Sequence, residues 1–134
     1  MKSYILYTDG AARGNPGPAG AGWVILNAEG KLFKEGGKYL GETTNNQAEY
    51  QALVLALEEV PKSDDVAVQI FADSELMVRQ INGDYKVKNE GLKPLFQKVV
   101  TTLSAFGEYK VTHVVREKNK RADELANEAI DSVF

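Results

Sequence analysis

The chain has 134 residues, 43% of them hydrophobic, no cysteine and a formal net charge of -3. That length predicts one domain, residues 1–134, large enough to bury a core without covalent staples, and the lack of cysteine excludes disulfides and thiolate metal centres. The negative balance argues against a protein that grips nucleic acid by bulk charge alone, and the opening "MKSYILYTDG" turns polar too soon for a signal peptide or a membrane span. A cytoplasmic, reducing location is the expectation.

In chain order, "KSYILYT" is rich in aromatic and branched residues and reads as a strand that ends at Asp9. A glycine-dense loop, "GAARGNPGPAGAG", follows it. "AGWVILNAEGKLFKEGGKYL" reads as two more strands joined at "NAEG", where glycine supplies the turn's positive φ. "TTNNQAEYQALVLALEEV" has the spacing of a helix with a broad apolar face, and "PKSDD" breaks it. "VAVQIFAD" is apolar on both faces, as suits the middle of a sheet. "SELMVRQIN" reads as a short helix capped by Ser74. Lys86, Lys88, Lys93 and Lys98 then gather with only Glu90 among them, a pattern that reads as a solvated helix face. "EGLKPLFQKVVTTLSAF" is a helix, "EYKVTHVVRE" a strand and "KRADELANEAIDSVF" a closing helix. The order β-β-β-α-β-α-α-β-α implies an antiparallel meander extended by parallel strands, an α/β mixed sheet with helices packed on it.

Four acids stand in telling places. Asp9 and Asp73 each close a strand. If those strands are parallel neighbours, both carboxylates emerge at one sheet edge, where open α/β sheets hold their ligands. Glu49 leads a helical stripe with Ala52, Leu53 and Ala56, so it points toward the sheet and not into water. Asp123 relates in the same way to Ala126 and Ile130, although Asn127 interrupts that stripe. Each acid alone has a plain structural explanation as a cap, a turn residue or a complement to the helix dipole. Converging carboxylates do not, because they repel and need protons or cations to coexist. With no cysteine and one histidine, the matching cation is hard and oxygen-loving: magnesium (Mg2+), or manganese (Mn2+) in its place. Two such ions among four acids are usual equipment for displacement at phosphorus.

The glycine loop lacks the spacing of a nucleotide-triphosphate cradle and leads into a strand. Close approach of a ligand backbone beside Asp9 is the better account, with a plain hairpin connection as the structural alternative. In "TTNNQ", Thr44, Asn45, Asn46 and Gln47 can cap the helix, and can also bond sugar hydroxyls or phosphates.

Together "YTDGAARGNPGPAGAG", "TTNNQAEYQAL", "FADSELMVRQI" and "REKNKRADELAN" resemble type 1 ribonuclease H, in order and over nearly the whole chain. The resemblance implies a ribonuclease H-like fold: a five-stranded mixed sheet, three opening strands antiparallel and two added in parallel, with helices on both faces. It implies a monomeric endonuclease that cuts the RNA strand of RNA–DNA hybrids with two Mg2+ ions, leaving 5′-phosphate and 3′-hydroxyl ends. The family's metal-binding acids fall on Asp9, Glu49, Asp73 and Asp123, and its substrate contacts on Gly10, Asn15, Thr44, Asn45, Asn46, Gln47, Glu75 and Asn119. The chain departs from many members in two places. "INGDYKVKNEG" is too short for a basic helical handle, and "VREKN" leaves no room for a mobile-loop histidine. Arg116, at the strand end near Asp123, is the candidate replacement for that histidine. His113, inside "VTHVV", reads as a strand side chain. The compact form resembles a subgroup some of whose members also cut double-stranded RNA. The alternatives are a catalytically weak nucleic-acid-binding module of the same fold, or another phosphoryl-transfer enzyme on the same architecture that cuts DNA.

Overall fold

The computed structural model describes residues 1–134. Strand β1 (Lys2–Ala12) alternates as its sequence demands, burying Tyr4, Leu6 and Thr8 on one face. It does not end at Asp9. It continues through Ala12, paired with β2 (Gly17–Asn27), so only residues 13–16 connect the two strands. The wide loop expected from the glycines is therefore a tight hairpin, and those glycines have internal work. A Cβ on Gly10 would collide with the Ala48 and Glu49 backbone, and one on Gly17 with the Arg13 carbonyl. A Cβ on Gly20 or Gly22 would collide with the carbonyls of Ala126 and Ala122. Glycine is needed here for close approach of helices to strands, not of a ligand.

Strand β3 (Leu32–Thr43) completes the antiparallel meander, and β4 (Val66–Ala72) and β5 (Glu108–His113) add in parallel beside β1. The sheet order is β3-β2-β1-β4-β5, and the meander extended by parallel strands is the mixed sheet that the element order implied. Helix α1 (Asn45–Glu58) starts with a capping box between Thr44 and Gln47 and lies on β1 and β2. Helices α2 (Glu75–Ile81) and α3 (Lys93–Leu103) extend that layer, which closes over Leu6, Ile25, Leu53, Leu57, Ile70 and Leu103. Helix α4 (Lys120–Asp131) lies on β2, β1 and β3 from the other side. Gly10 pairs with Ala21 and faces α1, so the flanking Gly20 and Gly22 face α4.

Two expectations need correction. Strand β4 alternates, with Val66, Val68, Ile70 and Ala72 buried and Gln69 exposed, because α4 covers only the β1–β3 half of its face. The lysine group is a helix face only at Lys93 and Lys98, which pair with Glu90 and Glu58. Lys86 and Lys88 lie in the irregular segment before α3. No helix is long and apolar enough to cross a membrane.

Candidate active site

The parallel register of β1 and β4 ends with Thr8 opposite Ala72, so the next residues, Asp9 still within β1 and Asp73 just past the end of β4, stand side by side. Ser74, not Asp73, caps α2, accepting the Met77 N–H at 3.2 Å, which leaves the Asp73 carboxylate free of that duty. Glu49 is brought in by α1. Since Gly10 has no side chain, the helix sits against β1 and the Glu49 carboxylate accepts the Gly10 N–H at 2.8 Å. One carboxylate oxygen from each of Asp9, Glu49 and Asp73 lies within 4.8 Å of the others. Asp123, in the first turn of α4, faces the same cleft from the opposite side of the sheet. All four acids line one cleft of about 420 Å³.

Burial and crowding decide the charge state. Asp9 is 4% exposed, and its carboxyl is pushed up to about 9, first by burial and then by the neighbouring carboxyls of Asp123 and Asp73. Burial also holds Glu49 well above the usual carboxylate range, with the charges of Asp9 and Asp73 adding to it and the Gly10 N–H pulling the other way. Without cations these groups hold protons that ordinary carboxylates release. A donor set of crowded carboxylate oxygens with neither nitrogen nor sulfur fits a hard divalent cation.

Around the acids, the expected contacts divide. Asn45 accepts the Ala12 N–H at 2.9 Å, and Asn15 accepts the Asn45 N–H at 3.1 Å. These bonds clamp the β1–β2 hairpin to the start of α1, and both side-chain amide NH2 groups have no protein partner. Asn46 is exposed and makes no side-chain bond. Arg116 begins a 3-10 turn (Arg116–Lys118), and its Nη2 donates to Asp123 at 3.4 Å. Three of the expected contacts have partners within the protein. The Gln47 Oε1 is taken by the capping box, accepting from Thr43 and Thr44. Glu75 accepts from Arg79 on the α2 surface at 3.1 Å and does not line the cleft. Asn119 is only 2% exposed, and its Nδ2 donates to the Thr8 carbonyl at 2.7 Å, so it presents nothing to a bulky ligand.

Sequence reasoning passed over three cleft residues. Asn127 donates to the Asp123 carboxylate at 3.3 Å and in turn accepts from Arg13 at 3.3 Å. Its signal was the break it makes in the apolar stripe of the last helix. Arg13 carried no signal. His113 ends β5 and lines the cleft beside Arg116, so it is more than a strand side chain.

Comparison with known proteins adds to this geometry. A family model described as reverse transcriptase-like matches residues 7–129. Ribonuclease HI of Halobacterium salinarum is 42% identical over 125 residues, with 93% of this chain and 63% of that protein covered. Ribonuclease H of Ruthia magnifica subsp. Calyptogena magnifica is 35% identical over 147 residues, with 99% of each covered. LC11-RNase H1, solved in complex with an RNA/DNA hybrid, superimposes with a TM-score of 0.88 at 47% identity, covering 97% of this chain and 98% of that one. The chain spans 63% of the halobacterial relative and 35% of a bifunctional protein of Mycobacterium tuberculosis that it also matches.

Proposed function

Because the chain belongs to the type 1 ribonuclease H family, we propose that it hydrolyses the RNA strand of RNA–DNA hybrids, leaving 5′-phosphate and 3′-hydroxyl ends. The observation that carries this reading is the convergence of Asp9, Glu49, Asp73 and Asp123 on one cleft, with Asp9 and Glu49 both held as reluctant anions. Ordinary ligand binding gives no reason to confine mutually repelling acids, and phosphoryl transfer does.

In this proposal Asp9, Glu49 and Asp73 hold one divalent ion and Asp9 with Asp123 a second, magnesium being the natural choice. Bound there, such ions lower the pKa of an attacking water and neutralise charge on the departing oxygen. The chain's own groups supply position. The Gly10 N–H fixes the Glu49 carboxylate, and the hairpin clamp aims the free amide groups of Asn15 and Asn45 outward beside Asn46. Those amides are placed to bond 2′-hydroxyls and phosphates of a strand lying across the hairpin and the start of α1, which selects RNA over DNA. Thr44 serves mainly as the cap of α1. Arg116 sets a permanent positive charge on the cleft rim beside Asp123, where negative charge grows as the water oxygen adds to phosphorus and the bond to the 3′-oxygen breaks. The phosphate therefore stays on the 5′ end.

The test is a cleavage panel of end-labelled hybrid, RNA duplex and DNA duplex, each with Mg2+ or Mn2+. Shortened RNA from the hybrid, with 5′-phosphate ends, is expected, and cutting of the RNA duplex extends the substrate range as in the compact subgroup. Binding of hybrid without turnover reduces the protein to a binding module, and cleavage of the DNA duplex moves it to another phosphoryl-transfer class.

A further inference from the structure

The geometry points to Asn119 as a positioning residue that sets Asp123 against Asp9. This rests on the nuclease reading above and goes beyond it, since Asn119 does not line the cleft.

Asn119 stands where three functional segments meet. Its backbone N–H donates to the Arg116 carbonyl at 2.9 Å and closes the 3-10 turn. Its own carbonyl accepts the Asp123 N–H at 3.1 Å and opens α4. Its side-chain Nδ2 donates to the Thr8 carbonyl at 2.7 Å, one residue before Asp9. That carbonyl marks the end of the β1–β4 register, because β4 stops at Ala72. The side chain thus takes up the place on β1 that the departing strand leaves. A carbonyl can only accept, so the facing atom must be the amide nitrogen.

Local helix stability does not explain an asparagine here. It flanks α4 at the N-cap, yet its side chain makes no cap bond, and its Oδ1 is buried with no protein partner. An N-cap serine would serve the helix better. What asparagine supplies, and serine is too short to supply, is a tether from the helix start to β1. With Gly20 and Gly22 letting α4 settle close on the sheet, that tether fixes the turn carrying Asp123. Aspartate has the same shape, but as a carboxylate it has no hydrogen to donate to the carbonyl.

Asn119→Ser is therefore the decisive variant, because it restores a capping hydroxyl while cutting the tether, and Asn119→Asp is the second should the first not fold. Wild type, each variant, Asp123→Asn and the double variants are compared by thermal unfolding, by hybrid binding in EDTA, by kcat and KM, and by Mn2+ calorimetry without hybrid. The expected result is an intact fold, hybrid affinity and KM within about threefold, kcat down about 10–100-fold and Mn2+ binding about tenfold weaker, the usual scale for outer-shell changes. The double variants should be no worse than Asp123→Asn alone, because both changes act through one carboxylate. A tenfold loss of hybrid affinity in EDTA would make Asn119 a substrate contact and overturn the proposal. So would an unchanged kcat and Mn2+ affinity, or losses that multiply in the double variants. Should wild type leave hybrid uncut, the nuclease reading falls, and the Mn2+ comparison still decides the role of Asn119.

Discussion

Replacing Asp9 with asparagine keeps the shape of the side chain and removes its charge. In the folded protein Asp9 keeps its proton up to about pH 9, whereas its ordinary value is 3.8. Between those values unfolding releases a proton, so stability falls as pH rises, by about 1.4 kcal/mol per pH unit for this one group. At pH 7 the gap of roughly three units corresponds to about 4 kcal/mol, and roughly 2–4 kcal/mol remains after the cleft relaxes. Unfolding entropy of about 2.1 cal/mol/K per residue over 134 residues makes that a rise in Tm of roughly 7–14 °C. Asp9→Asn should therefore be more stable than wild type at pH 7 in EDTA, by roughly that margin. The advantage should shrink to within about 2 °C at pH 4, where both side chains are neutral. Mg2+ should raise the Tm of wild type and leave the variant unmoved, and the variant should cut no hybrid. Calorimetric unfolding from pH 4 to 9, with and without Mg2+, reads all of this. A lower Tm for Asp9→Asn at pH 7, or a gain that does not vary with pH, would refute the account of a crowded, protonated cleft.

Gly22→Ala drives a Cβ into the Ala122 carbonyl. It should cost about 1–3 kcal/mol by urea unfolding and should lower kcat as well, since the same helical turn carries Asp123. Arg116→Ala should leave the Tm within about 2 °C, because its ion pair is exposed, and should lower kcat about 10–100-fold. Arg116→Lys should recover only part of that loss, since it lacks the planar fork. Thr44→Ala removes the α1 cap and should cost about 1 kcal/mol in urea. Asn46→Ala should leave stability unchanged and weaken hybrid binding a few-fold in fluorescence anisotropy, because it makes no internal bond.

Much of the arrangement was readable from spacing. Aromatic and branched residues marked the strands, and the stripe led by Glu49 told which way that carboxylate faced. Strand and helix order implied the mixed sheet, and the pairing of Asp9 with Asp73 followed once β1 and β4 were seen to be parallel neighbours. These features are local or follow from topology, so a linear pattern carries them. The glycines misled. Their density suggested a loop open to a ligand, whereas β1 runs on to Ala12 and the missing side chains make room for Glu49 on one face and α4 on the other. Asn119 entered only through the family resemblance, as a substrate contact, and nothing along the chain points to its buried bond to the Thr8 carbonyl.

The residue types and their order were enough to identify the acids, the hard-cation chemistry they suit and the sheet edge where two of them meet. Which polar side chains face the cleft and which hold it together was settled only by contacts between residues as far apart as Thr8 and Asn119, a separation of 111 positions. Hydrogen bonds and backbone clearances act through space at about 3 Å, and no pattern along the chain records which distant segments will approach that closely.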